Sequence, residues 1–204
     1  LDLDRAGVRV DDKGFIVTDD HLATSAPGIY AVGDVNGRFP FTHAAHAQGL
    51  AAVGNALGAG AWRKFDASVT PFVTFTDPEI ARVGMTEAEA YEAHGDRATV
   101  VELPMAAVDR AITDGRTEGF VKLIAAPGKL LGTRAGGQLV GATIAAPHAG
   151  ELIHEVSLAM KLRIPPAAIA SATHAYPTWG IAVQQAASGF FMDLEQGTVR
   201  PARG

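Results

Sequence analysis

Hydrophobic and polar residues alternate along the chain in two rhythms, one of period two and one close to period 3.6. Val8-Arg9-Val10 and Phe15-Ile16-Val17-Thr18 are β-rich runs flanking Asp11-Asp12-Lys13-Gly14, which predicts a hairpin turning at Gly14. Ile29-Tyr30-Ala31-Val32 lies between the turn cluster Thr24-Ser25-Ala26-Pro27-Gly28 and Gly33-Asp34, the pattern of a short buried strand. Beyond Gly37 and Pro40, Thr42 is placed to cap a helix from His43 to about Leu57, with Gly58 and Gly60 to stop it.

The second half is richer in strands. Val69 to Phe75 reads as a strand, and Thr86 opens a helix with Glu89 three residues on, the spacing of a capping box. Thr99 to Leu103, Gly119 to Ile124 and Gln138 to Ile144 are three further strands. Gly150 to Leu162 is a helix with Leu152, Val156, Ala159 and Met160 on one face, and Thr178 is placed to cap another from Trp179 to about Phe191. Consecutive strands with helices to one side predict an α+β fold with a mostly antiparallel sheet, divided from the first segment near Gly60 to Ala67. There is no internal repeat, and neither GxGxxG nor GxxxxGK[ST] occurs.

Composition narrows the function. Of 204 residues 48% are hydrophobic, enough for a real core, while only 19% are charged against an ordinary ~25%, so a partner or ligand is expected to cover part of the surface. The net charge of −5, with Lys and Arg scattered, lacks the basic footprint of nucleic-acid or anionic-membrane binding. The absence of cysteine excludes disulfides, thiolate metal sites and dithiol chemistry within these residues, and leaves the cytoplasm as the default compartment. Leu1 to Val10 has no signal-peptide profile, and the chain reads as cut from something longer. Phe39 to Trp62 and Ile164 to Met192 contain no Asp, Glu, Lys or Arg, but their His, Gln, Asn and Pro residues favour burial in protein over a membrane span.

Candidate chemistry is concentrated in two places. Asp34 follows an apolar strand, where a carboxylate either accepts hydrogen bonds from vicinal hydroxyls or caps turn N–H groups, the second being the commoner role. Thr42-His43-Ala44 starts a helix whose N–H groups and positive dipole end can face an electron-rich ligand edge. His43 and His46 share a helix face, but no third ligand completes a metal set, and His148 and His154 read as helix ends. In His174-Ala175-Tyr176-Pro177-Thr178, the proline holds Tyr176 extended, either to hydrogen-bond into a site or to sit in a subunit contact.

Thr24 through Asp34, with Gly28-Ile29-Tyr30-Ala31-Val32-Gly33-Asp34 at its heart, resembles the second FAD-contacting motif of the flavin-dependent pyridine nucleotide-disulfide oxidoreductases, the group containing dihydrolipoamide dehydrogenase, glutathione reductase, mercuric reductase and soluble transhydrogenase. Val73 through Glu87 is similar to the opening of that family's dimerisation domain, and Gly119-Phe120-Val121-Lys122-Leu123, Val140-Gly141-Ala142 and Pro147 through Ile153 to its later strands and helix. The resemblance implies the end of an α/β FAD-binding domain over residues 1–62 and a dimerisation domain over residues 63–204. The dinucleotide fingerprints and any redox cysteines would then lie upstream of Leu1. It implies FAD as cofactor, with Gly33, Asp34, Thr42, His43 and Ala44 as its contacts, NADH or NADPH as donor, and a homodimer.

Disulfide reductases of this family carry His-Pro-Thr and, further along, a Glu that orients the proton-transferring His. Here Tyr176 stands at the His position and Ile181 at the Glu position. A phenol of reference pKa ~10 is a poor base at neutral pH, and His174 is the nearby group able to substitute. The resemblance thus implies hydride transfer to a small-molecule acceptor such as a quinone or another nicotinamide, with Tyr176 and His174 as candidate catalytic groups. Two rivals are a disulfide or mercuric reductase using upstream cysteines, and a structural dimerisation module without activity of its own.

Overall fold

Strand alternation and turn chemistry build an antiparallel sheet, seen in a computed structural model that describes residues 1–58, 62–128, 136–194 and 196–203. Its six strands are β1 (Phe72–Thr74), β2 (Glu79–Gly84), β3 (Thr99–Pro104), β4 (Phe120–Ala126), β5 (Gln138–Ala146) and β6 (Thr198–Pro201), in spatial order β1-β2-β5-β4-β3-β6. Every neighbouring pair is antiparallel. β5 is the longest strand and pairs on both sides, Ile144 lying opposite Ala81 on β2 and opposite Val121 on β4. The fold is therefore α+β, as the order of elements predicts.

Successive residues of a strand face opposite ways, so each strand divides its side chains between two layers. Leu103, Val121, Leu123, Leu139, Ala142 and Ile144 face the main core. There they meet Ile153, Val156 and Met160 of α4 (Ala149–Leu162), Ile169 of α5 (Pro166–Ser171) and Ala182, Val183 and Ala186 of α6 (Ile181–Ser188). On the other face Val100 and Ile124 join Ala90 of α2 (Glu87–His94), Ala98 and Ala202 in a smaller cluster. The main helical layer thus covers one face, and α2 supplies a second on the other. A short helix, α3 (Asp109–Thr113), follows β3.

Thr86 and Glu89 form the expected capping box: the Thr86 hydroxyl accepts from the Glu89 N–H at 3.2 Å, and Glu89 Oε2 accepts from the Thr86 N–H at 2.7 Å. Other boundaries move. Residues 67–69 form a 3₁₀ turn and pairing starts at Phe72, so the strand expected from Val69 is shorter. Thr178 does not cap α6: its hydroxyl donates to the Ala175 carbonyl at 2.6 Å, the N-cap is Gly180, and the helix ends at Ser188, three residues short of Phe191. β2, β6, α3 and α5 are elements that the patterning did not predict.

Contacts divide the chain into two units, Leu1–Ala67 and Ser68–Gly204. In the first, the expected hairpin is reduced to one bridge, Val10 with Ile16, and the run Ile29–Val32 to another, Ala23 with Tyr30. No sheet neighbour flanks either run among the described residues, so neither propagates into a ladder. The helix α1 (Thr42–Ala56) has Phe41 as its N-cap, with Thr42 as its first helical residue. Gly60, expected as a helix stop, lies outside the described residues. The uncharged stretches are less buried than expected, since Leu50 and Val53 on α1, Leu57 at its C-cap, and Tyr176, Phe191 and Met192 are exposed. A helix apolar on most faces can bury only those that find a partner. Among the described residues no helix is long and apolar enough to cross a membrane.

The edge strand β6 is held by charge. Arg200 pairs with both Glu87 carboxylate oxygens, Lys122 reaches Glu87 at 3.3 Å and Glu102 at 3.1 Å, and Arg200 lies 4.0 Å from Glu102. The hydrogen bond from Arg200, aided by Lys122, holds the Glu87 carboxyl below its ordinary range against the opposing effect of partial burial. A carboxyl with a lowered folded pKa stabilises above its unfolded value, and that contribution is lost as pH falls through the folded one. Glu87→Gln is expected to cost about 1–2 kcal/mol at neutral pH. Urea unfolding followed on acidification should show the gap between wild type and variant closing below about pH 4.

Candidate functional site

The first candidate group is built by a turn. After Tyr30 the chain closes a single 3₁₀ turn, Gly33–Asn36, entered at Gly33 with φ 75° and left at Gly37 with φ 64°. Both angles favour glycine, and a Cβ on Gly37 would lie 2.6 Å from the Phe15 ring. Gly33 packs so closely on α1 that a Cβ there would stand 3.1 Å from the Cβ of Ala45.

Asp34 lies within this turn, exposed, and among the described residues its carboxylate accepts no hydrogen bond. The chain offers an internal comparison. Asp11 caps the N–H groups of Lys13 and Phe15, and Asp19 those of His21 and Ala23, all at 2.8–3.0 Å. Asp34 does none of this: the N–H four residues on, that of Arg38, is taken by Asn36 Oδ1 at 3.0 Å, and other groups hold the rest of the turn. Gln48 Oε1 accepts the Gly33 N–H at 2.8 Å and Asn36 Nδ2 at 2.9 Å, and Asn36 Nδ2 also reaches the Ala31 carbonyl at 3.1 Å. The carboxylate is left outward with its acceptor capacity unused.

Helix α1 packs against this turn. Its N-terminus has no side-chain cap, so Thr42 does not play the expected capping role; the residue at the N-cap, Phe41, has no side chain able to accept. Thr42 and His43 are exposed at the first turn, the His43 ring stacks on Phe41 with centroids 5.7 Å apart, and Ala44 is buried beneath. Gly33, Asp34, Thr42, His43 and Ala44 therefore belong to one local assembly. The arrangement presents an acceptor beside a helix end that favours electron-rich groups.

The second candidate group lies in the other unit. Tyr176 is 67% exposed and its hydroxyl donates to Asp109 Oδ2 at 2.8 Å. That hydrogen bond, together with the Asp109 charge, raises the phenol above its ordinary value. His174 takes different partners. Its Nε2 lies 3.1 and 3.2 Å from the Glu155 carboxylate oxygens on α4, and its Nδ1 lies 3.1 Å from the Ala172 carbonyl. Its side chain is only 13% exposed. His174 and Tyr176 share a segment but are tied to separate helices, α4 and α3. Ile181 is half-buried against the main core, as are Trp179 and Phe190, so the exposed aromatic residues of this stretch are Tyr176 and Phe191.

Sequence reading missed Gln48, Asn36, Asp109 and Glu155. The first two stand 12 residues apart and the last two stand 67 and 19 residues from their partners, separations at which no local spacing carries a signal. Among the described residues no cluster of three metal-ligating side chains forms.

The sheet order and the turn beside α1 define a class, and comparison with known proteins identifies it. A model for the pyridine nucleotide-disulphide oxidoreductase dimerisation domain matches residues 70–187, and one for pyridine nucleotide-disulphide oxidoreductase matches residues 1–49. The chain belongs to the pyridine nucleotide-disulphide oxidoreductases. It is 38% identical over 188 residues to a dihydrolipoyl dehydrogenase of Haloferax volcanii, covering 92% of this chain and 38% of that protein. It is 36% identical over 196 residues to a mercuric reductase of Acidithiobacillus ferrooxidans, covering 96% and 34%. The crystal structure of LpdA from Mycobacterium tuberculosis superposes with a TM-score of 0.82 at 30% identity, over 94% of this chain and 40% of that one. RclA from Escherichia coli, an HOCl-induced flavoprotein disulfide reductase, gives 0.79 at 28%, over 92% and 41%. The chain thus spans about two-fifths of the length of the proteins it resembles.

The Tyr176–Asp109 pair makes a direct expectation. In Asp109→Asn the phenol loses its charged acceptor, and ultraviolet titration should show Tyr176 ionising at lower pH than in the wild type. An unchanged titration would mean that the hydrogen bond is not formed in solution.

Proposed function

We propose that this chain forms the flavin-facing end and the dimer interface of an FAD-dependent NAD(P)H oxidoreductase. The observation that carries the reading is the unengaged carboxylate of Asp34, held outward by a turn that needs nothing from it. Its acceptor oxygens suit the hydroxyls of a ribityl chain. The glycine at Gly33 permits close packing of the turn on α1, and the uncapped start of α1 suits the electron-rich edge of an isoalloxazine. The residues present fit the cofactor. A bound FAD would supply two-electron chemistry, between NADH or NADPH as donor and the acceptor. Asp34, Thr42 and His43 would hold and orient it, with Gly33 and Ala44 as the buried packing that sets the turn against the helix start.

The acceptor in this proposal is a small molecule other than a disulfide, such as a quinone or a second nicotinamide. A phenol donating to Asp109, with its ionisation pushed up, is a poor base at neutral pH, and the half-buried Ile181 offers no group to orient one. His174 is the remaining candidate for proton handling in this segment, and both its ring nitrogens are engaged by protein oxygens. The relatives named as dihydrolipoyl dehydrogenase and mercuric reductase support the broader flavoenzyme reading and leave thiol or mercuric chemistry as the competing outcome.

A homodimer belongs to the same proposal, supported by the match to a dimerisation domain and by exposed Tyr176, Phe191 and Met192 in an uncharged stretch. A cytoplasmic location completes it. Two measurements test it. Asp34→Ala in the flavoenzyme should weaken FAD retention about tenfold or more, read by flavin fluorescence on dilution. In anaerobic half-reactions NADH or NADPH should reduce the flavin, a quinone or thio-nicotinamide should reoxidise it, and a disulfide should not. Reoxidation by disulfide alone would overturn the acceptor assignment, and a sedimentation mass of one chain would overturn the dimer.

A further inference from the structure

Gln48 is fully buried on the inner face of α1, yet it is polar and its two amide atoms are treated unequally. Oε1 takes two hydrogen bonds, from the N–H that opens the Asp34 turn at Gly33 and from the side-chain amide that closes it at Asn36. Nε2 has no partner among the described residues. The amide orientation is fixed by its neighbours, since turning it over would set an NH₂ against two donors. A buried amide donor left unpaired is unfavourable, and an aliphatic side chain of similar size would avoid it. What Gln48 alone supplies here is a single acceptor that draws both ends of one turn together. Asn36 extends the clamp, donating to the Ala31 carbonyl and accepting the Arg38 N–H at 3.0 Å. The residue lying between the clamped ends is Asp34.

Resting on the flavin site proposed above, we infer that Gln48 is a positioning residue for FAD: it holds the Gly33–Asn36 turn so that the Asp34 carboxylate stays outward and unengaged, and it sets cofactor affinity without touching the cofactor. Without the acceptor, the Gly33 N–H and one of the two Asn36 amide hydrogens lose their partner, while the other still reaches the Ala31 carbonyl. The turn would then shift to bring them to another acceptor or to water, and the Asp34 carboxylate between them would move from the place where the ligand meets it.

The test uses the full-length flavoenzyme, stripped of cofactor and titrated with FAD by fluorescence quenching, with the thermal midpoint of the apoprotein read in parallel. Gln48→Leu should weaken FAD binding by about tenfold or more. Gln48→Glu, buried as the neutral acid with its carbonyl oxygen accepting both hydrogen bonds, should bind within about threefold of wild type. Asp34→Ala combined with Gln48→Leu should be no weaker than Asp34→Ala alone, because Gln48 acts through Asp34. If Gln48→Leu does not fold, Gln48→Asn, one methylene short of Gly33, carries the same expectation. Wild-type affinity in Gln48→Leu or Gln48→Asn, or multiplicative losses in the double variant, would overturn the inference while leaving the flavin reading intact. Unimpaired binding in Asp34→Ala would overturn both.

Discussion

The pairing of β5 with β2 on one side and β4 on the other is the constraint on which the rest of the dimerisation unit depends. Nine residues of β5 supply the register for both neighbours, and β4 then carries β3 and β6 outward. The close approach is enforced by glycine. A Cβ on Gly141 would stand 2.0 Å from the Met85 carbonyl oxygen, and one on Gly119 would stand 1.8 Å from that of Ala145. No side chain fits at either place. With the register set, Leu139, Ala142 and Ile144 fall on the face covered by α4 and α6, and each large aliphatic side chain buried there contributes about 1.5–3 kcal/mol. α2 then needs only a small cluster and the charge network around Glu87 to hold the opposite face and the edge strand.

In the first unit the organising element is polar. Asn36 accepts the Arg38 N–H, the position that Asp11 and Asp19 cap in their own turns, and a buried Gln48 ties Asn36 to the Gly33 N–H; this distinguishes Asp34 from Asp11 and Asp19. All three occupy turn-like sequence, and only the satisfaction of neighbouring donors separates a structural carboxylate from one available to a ligand. In the second unit Tyr176 and His174 are divided in the same manner, one tied to Asp109 and the other to Glu155. Two residues apart, they are held by helices that the sequence places far from each other.

Much of the architecture was legible in the sequence. The capping box at Thr86 and Glu89, the strands around Val101, Leu123 and Val140, and the helix ending at Leu162 each rest on local periodicity or turn chemistry, and each is present. β2 escaped notice because its inward positions carry Glu79, Ala81 and Val83, and its largest aliphatic side chain, Ile80, is on the exposed face. β6 and α5 are short, and their existence depends on what they pack against. The Thr42 and Thr178 caps failed for a related reason: a threonine before a helix is a suitable cap only if the backbone starts the helix one residue later, and the helices start at Thr42 and Ile181 instead.

The sequence by itself determined β1, β3, β4 and β5, the helices α1, α2, α4 and α6, the antiparallel α+β class, and the resemblance carried by Gly33 and Asp34, because these depend on residues near one another in the chain. Tertiary structure decided which polar groups are engaged. Gln48 meets Gly33, Asp109 meets Tyr176 and Glu155 meets His174 across 15, 67 and 19 residues. Hydrogen-bond satisfaction is a property of groups brought together by the fold, and no local pattern encodes it.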